Sequence, residues 1–458
     1  MSTDSNRNRI TFGLGTIGRD MLYSLVSMYI LFYQTDILKL PNAALWWISG
    51  IMLAARIFDA VNDPIMGVVV DNTNTRYGKF KPWIAIGALF SGIFTVIMFT
   101  DFKLDWPYYV ALFAVIYLGW EISFTANDIA YWSMLPSLSM DQKEREKIGA
   151  FAKICAYIGL FTIVAGIIPI TGLLGSALGG MTQAYTVFAA ALAVIMLAGQ
   201  CITLFGVREM KGTFKKESQT SLKGMITAIF KNDQLLYTAV SMSLFMIGYM
   251  TTTSFGLYFF KYAYGDEGMY SIFAIILGIS QIAALVTFPV FSKRFNRRSL
   301  YTGATALVIL GYAIFFFSPM DMLYIGLAGI LLFIGQAFIQ LLMLMFLADT
   351  IEYGQWKLGK RNDSVTFSLQ PFINKIGNAI ANGIAGVTVI ISGISSASSA
   401  ADVTARGLFI LKISMFVLPL ICILAGYIIY RRMYKIDSEM YGRILSELQT
   451  RGDIRLQD

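Results

Sequence analysis

Five acidic side chains stand in stretches of sequence otherwise too apolar to hold them. In ARIFDAVNDPIMG, Arg56, Asp59 and Asp63 fall at i, i+3 and i+7, on one face of a helix, with Asn62 beside them. Two carboxylates one turn apart repel, so either one keeps a proton or a cation neutralises the pair. Two carboxylates joined by amide and hydroxyl oxygens make a hard-oxygen cage for Na+ or Li+. The same pair could carry H+ instead, and Arg56 could simply neutralise Asp59. In YLGWEISFTANDIAYWSMLP, Glu121, Thr125, Asp128 and Trp132 recur at i, i+4, i+7 and i+11, a polar stripe ending in an indole. Thr125 offers a further oxygen to the cation. Carboxylates accept hydrogen bonds from sugar hydroxyls, and an aromatic face stacks on the C–H face of a pyranose. Trp132 equally suits the aromatic belt of a membrane interface.

The remaining charges of this kind are Arg19 and Asp20 in GTIGRDMLYS, Lys153 in AFAKICAYIG and Lys375 in PFINKIGNAIANG. Asp20, Ser24 and Ser27 share a helical face; the blander reading is an Arg19–Asp20 pair near the cytoplasmic surface. Each lysine can snorkel toward water or offset the acids. Asp20, Asp59, Asp63, Glu121 and Asp128 outnumber Arg19, Arg56, Lys153 and Lys375 by one negative charge. One bound monovalent cation would make the set neutral.

Membrane helices are the elements that must position these groups. The 458 residues are 56% hydrophobic and 14% charged, with a mean hydropathy of +0.63, whereas soluble domains carry about 25% charged residues. Apolar runs between polar breaks give twelve spans, near 10–38, 43–71, 82–101, 106–138, 147–175, 183–206, 234–262, 269–292, 299–318, 321–349, 363–396 and 407–431. Backbone polar groups in lipid must be satisfied within the span, which makes these helices. With the N-terminus inside, 27 Lys and Arg fall in cytoplasmic segments and four in outer loops, the asymmetry of the positive-inside rule. This accounts for the net charge of +8 without nucleic acid. Both termini are therefore expected in the cytoplasm, and the first apolar stretch, too long for a signal peptide, is expected to be a mature span. A basic connection over 207–233 divides a bundle at 1–206 from one at 234–431, followed by a tail at 432–458. A weak internal echo (RYGKFKPW and SKRFNRRSLY, or Asp128–Trp132–Lys153 and Asp349–Tyr353–Lys375) agrees with two halves. With no His, a His-ligated metal or His base is excluded; Cys155, Cys201 and Cys422 read as small buried hydrophobes.

The segments RIFDAVNDPIMGVVVDNTNTRYGKFKPW, NDIAYWSMLPSL and DTIEYGQWKLGKRNDSVTFSLQPFINKIG together resemble the glycoside–pentoside–hexuronide:cation symporters, the melibiose-permease-like group of the major facilitator superfamily. The resemblance implies an all-α membrane fold of twelve helices in two pseudo-symmetric six-helix bundles that rock about a central cavity. It implies a cation (Na+ or Li+) held by Asp59, Asn62, Asp63 and Thr125, and a sugar held by Asp20, Asp128, Trp132 and Lys153, with Arg19 in the same set. Lys375 would link the two sites, with Arg56 beside the cation pair. Three departures stand out. Lys153 replaces an arginine fork with a point charge, Pro371 replaces a hydroxyl residue, and Glu121 is an extra acid. They argue for a glycoside other than melibiose.

The expected function is thus cation-coupled symport of a sugar or glycoside (glycoside, pentoside or hexuronide) across a cell membrane, by alternating access. No enzyme activity and no cofactor beyond co-transported Na+, Li+ or H+ are expected. Arg76, Lys79 and Arg294 in the basic loops would latch the cytoplasmic side. Rivals are a proton symporter on the same carboxylates, a lysolipid-transporting relative, a membrane glycosyl or phosphoryl transferase, and a sensor without flux. The compact loops and the polar stripe favour a small hydrophilic solute. The transferase would need a catalytic or metal motif in a sizeable soluble part, and none is present in the sequence.

Overall fold

The computed structural model describes residues 3–209, 226, 229–266, 268–394 and 400–454, so most of the 207–233 connection lies outside the described residues. Among the described residues every regular element is helical. In chain order the long helices are α1 (Thr3–Phe32), α2 (Asn42–Asp71), α3 (Lys81–Met98), α4 (Trp106–Ser133), α5 (Gln142–Leu178), α6 (Met181–Gly206), α7 (Asp233–Tyr258), α8 (Met269–Arg294), α9 (Arg297–Phe317), α10 (Met322–Leu358) and α11 (Asp363–Ile391). The helical run α12 (Ala405–Met433) and a short α13 (Ser438–Thr450) complete the chain.

Ten of the twelve expected spans, α2 to α10 and α12, are long and apolar enough to cross a membrane. α1 and α11 have the length, 30 and 29 residues, but not the apolarity. Arg19, Asp20, Ser24 and Ser27 interrupt the first, and Asn374, Lys375, Asn378 and Asn382 the second. Such interruptions mark helices that line a polar interior rather than face lipid. Helix starts follow side-chain caps: Asp141, Asn232, Asn296, Asp321 and Thr404 each accept a bond from a first-turn backbone N–H.

The chain divides into two compact units, one of Met1–Met225 with Asn362–Ser368, the other of Ile226–Arg361 with Leu369–Asp458. In the first unit α1 packs on α5 and α6, and α4 on α2 and α3. Glycines permit the closest approaches. A Cβ on Gly18 would meet the Met196 backbone at 2.6 Å, and one on Gly159 would meet the Ile17 carbonyl at 2.4 Å. Small residues draw membrane helices together in this way, and here they fix the turn of α1 that carries Arg19. In the second unit α7 packs on α12, α10 on α8 and α9, and α13 on the end of α10. The last contact is polar as well as apolar: Trp356 Nε1 donates to Glu447 at 2.7 Å while Tyr441, Ile444 and Leu448 are buried. Of the three cysteines only Cys155 is buried; Cys201 is exposed and Cys422 intermediate. An apolar run on a membrane helix can face lipid rather than protein, so it does not itself dictate burial.

Candidate functional site

The charged residues of the first unit form two groups joined through α4. On α2, Asp59 and Asp63 are buried, at 5% and 0% exposure. Thr125 of α4, also buried, donates its hydroxyl to Asp59 at 2.8 Å. Asn62 is half-buried and its amide nitrogen makes no hydrogen bond. Pro64, inside α2, has no N–H, so the Ala60 carbonyl one turn earlier loses its helical partner. Two carboxylates, a hydroxyl, an amide and a spare carbonyl are therefore gathered on adjacent turns. Among the described residues no group of three His, Cys, Asp or Glu is placed to hold a metal ion; this set has two acids and otherwise neutral oxygens, a charge suited to a monovalent ion. Arg56 lies on the exposed side of α2. Glu121, 8% exposed and one turn before Thr125, is hydrogen-bonded to Tyr117.

The second group centres on Arg19. Its guanidinium is buried and bridges two carboxylates, Asp128 at 2.8 Å and Asp20 at 3.0 Å. It lies 5.0 Å from the Tyr131 ring and 5.3 Å from the Trp132 ring, within cation–π range. The surface-pair reading of Arg19 and Asp20 is thereby set aside, since a residue 109 positions away completes the triad. Asp20 and Asp128 keep 27% and 24% of their side chains exposed, so neither carboxylate is sealed inside the triad. Trp132 is not a belt residue: it is 5% exposed, with the Lys153 ammonium 4.6 Å over its ring. A more exposed aromatic one turn from Asp20 is Tyr23, 45% exposed and stacked on Trp120 and Phe124 at 6.1 and 5.0 Å. Composition hid Tyr23 among 24 tyrosines, but its place three residues after Asp20, one turn on, was the available signal. The stack continues along α4 through Tyr117 and Phe113 to Tyr109.

The residues expected at the gate divide. Lys79 bonds Asp363 at 2.7 Å and Asp71 at 3.3 Å. The Asp71 carboxylate also accepts from the backbone N–H groups of Ser364 and Val365, at 3.0 and 2.9 Å, capping the first turn of α11. Arg76 is exposed, over the ring of Tyr77. Arg294 is exposed at the end of α8; the ion pair nearby joins half-buried Arg297 to buried Asp349. Glu352, fully buried, pairs with Arg361 at 3.3 Å. Sequence reasoning missed these pairs because acids at a helix end look interfacial until the arginine from another segment is in place. Lys375 is half-buried on α11, one turn before Asn378 on the same helix face. Pro371 lies within α11, one turn before Lys375.

The family model described as MFS/sugar transport protein matches residues 11–438. The chain belongs to that family. A raffinose carrier protein of Pediococcus pentosaceus is 30% identical over 455 residues, covering 96% of this chain and 71% of the carrier. A lactose permease of Lactobacillus delbrueckii subsp. bulgaricus is 29% identical, covering 97% and 72%. A glucuronide carrier protein homolog of Escherichia coli strain K12 is 24% identical, covering 98% and 97%. Among solved structures, the E. coli fucose:proton symporter aligns with a TM-score of 0.68 at 12% identity, covering 94% of this chain and 100% of that one. A major facilitator proton:xylose symporter aligns at 0.64 and 12%, covering 95% and 97%. At such identities the structures establish the fold, that of major facilitator transporters. The family is one of membrane transporters rather than enzymes.

Proposed function

We propose that this chain is a symporter that carries a sugar or glycoside together with a monovalent cation, the cation at Asp59, Asn62, Asp63 and Thr125 and the sugar at Asp20, Asp128, Tyr23 and their neighbours. One observation carries the reading. Thr125 and Asp128 stand three residues apart on α4; the first is bonded to Asp59 of α2 and the second to Arg19 of α1. Neutralising Asp59 and Asp63 shifts the turn of α4 that presents Asp128, so the ion and the sugar each alter the affinity of the other. Linkage makes that effect reciprocal. The names of the relatives, carriers of raffinose and lactose, support a sugar as the solute, and the oxygen-only ion set supports Na+ or Li+. Alternating access in a bacterial plasma membrane, both termini cytoplasmic, completes the proposal. Arg19 then acts as a positioning residue, holding two acceptors at fixed geometry for ring hydroxyls, and the Lys79–Asp71–Asp363 cluster acts in the cytoplasmic latch.

The test is a binding screen of glycosides, pentosides and hexuronates on the purified protein, with and without Na+ at fixed pH. At least one sugar should bind more tightly with Na+ or Li+, and Asp59→Cys should keep sugar binding while abolishing Na+-driven accumulation in vesicles. If lowering the pH alone reproduces the effect, the coupling ion is H+. Undiminished uphill uptake by Asp59→Cys would refute the ion site.

A further inference from the structure

The second unit contains a polar cluster that neither charge nor the ion site explains. α10 is a run of Leu, Ile, Phe and Met broken at its centre by Gln336 and Gln340, one turn apart on one face. Gln336 is fully buried, and neither its amide oxygen nor its amide nitrogen has a hydrogen-bond partner. Gln340 bonds the Tyr249 hydroxyl of α7, which also accepts from Gln281 Nε2 of α8 at 3.3 Å. Gln281 is itself 1% exposed.

Ring contacts bracket these groups on both helices. Phe273 meets Phe333 at 5.2 Å and Phe288 meets Phe338 at 5.1 Å, so Gln281 and Gln336 both lie in the stretches of α8 and α10 that these ring contacts bracket. Gln281 is also the middle of the 26-residue α8, far from either membrane surface. Polar side chains at that depth are costly and mark solute pathways. A buried amide without partners costs about 1–3 kcal/mol for each unmet group, and Leu would fill the same volume without that cost. The Gln336 amide is thus matched to something that visits.

Its chemistry identifies the visitor. A carboxamide offers two donors and a two-lone-pair acceptor side by side, which fits neighbouring ring hydroxyls, one donating and one accepting. The four side chains carry no charge and offer a carboxylate no counter-ion. We propose that Tyr249, Gln281, Gln336 and Gln340 form a second sugar-recognition subsite, within the second unit, that reads uncharged vicinal hydroxyls of a glycoside; the proposal rests on the sugar-transport reading above.

The test uses the full chain in nanodiscs and equilibrium binding of lactose, raffinose and a series of singly deoxygenated lactoses, for the native protein and for Gln336→Leu, Gln281→Leu and Tyr249→Phe. Gln336→Leu is expected to weaken binding of the sugar that the native protein binds by about tenfold or more. It should also lose the penalty that the native protein imposes on one particular deoxy analogue, while the sugar-free melting midpoint holds or rises because an unmet amide has been removed. Tyr249→Phe, the mildest change, should show the same loss of discrimination. Unchanged affinity, or a deoxy series ranked as in the native protein, overturns the subsite. So does a lowered sugar-free midpoint with normal affinity, which would make the cluster an internal structural network. If the native protein binds no sugar in this series or in the wider screen, the sugar reading falls and the subsite with it. Sugar binding that survives in all three variants with native discrimination sinks the subsite alone.

Discussion

Replacing Arg19 by Gln tests the central geometry most directly. The native guanidinium bonds Asp128 at 2.8 Å and Asp20 at 3.0 and 3.3 Å, and its removal leaves two carboxylates facing each other with Lys153 as their nearest named cation. Deleting one partner of a buried ionic cluster costs about 3–5 kcal/mol. Because both carboxylates retain about a quarter of their exposure, the low end applies, about 3 kcal/mol. If that organisation serves sugar binding, the affinity falls by roughly 150-fold. The assay is equilibrium binding of the best glycoside from the screen, in a double-mutant cycle with Asp128→Asn. The two changes should be strongly non-additive, with a coupling of about 1.5 kcal/mol or more, and Arg19→Lys should recover part of the loss by restoring charge without the planar fork. Binding within threefold of native in Arg19→Gln, together with additive effects, would show that the triad does not hold the sugar's acceptors.

Three further outcomes are expected. Thr125→Val removes the donor to Asp59 and should weaken the stimulating cation by about tenfold, read as a shift in the Na+ concentration that half-maximally raises sugar affinity; an unmoved midpoint would exclude Thr125 from the ion site. Tyr23→Ala should lower sugar affinity by about tenfold, in line with loss of an aromatic contact, while leaving that Na+ midpoint in place, whereas Trp132→Ala should affect both sugar binding and folding because Trp132 is packed. Asp71→Ala removes the acceptor for two backbone amides, and hydrogen exchange at Ser364 and Val365 should accelerate at least tenfold; unchanged protection would mean the cap is held by other groups.

How legible the protein was depends on which force placed each residue. The hydropathy of the spans is a one-dimensional pattern, and it survives into the structure as long helices. Asp59 and Asp63 were readable because a helix puts i and i+4 on one face. Asp20 with Asp128 was not readable from periodicity alone. Their union depends on Arg19, and Arg19 depends on the close approach of α1 to α6 at Gly18, a contact between residues almost two hundred positions apart. Trp132 and Tyr23 show the same limit. Both are aromatic and near acids, yet only packing decides which ring is covered by an ammonium and which remains open. The twelve-span count weakened at α1 and α11, the two helices whose polar residues make them useful to a solute and poor matches for lipid.

The proline beside Asp63 has a mechanical consequence. A helix missing one rung of its ladder bends there with less work than elsewhere, and in α2 the gap falls between the two carboxylates. A positive ion seated on Asp59, Asp63 and the spare carbonyl of Ala60 would splint that joint, turning occupancy by one small ion into stiffness along 30 residues. Filling the gap with Pro64→Ala would then leave ion binding possible but silence its message.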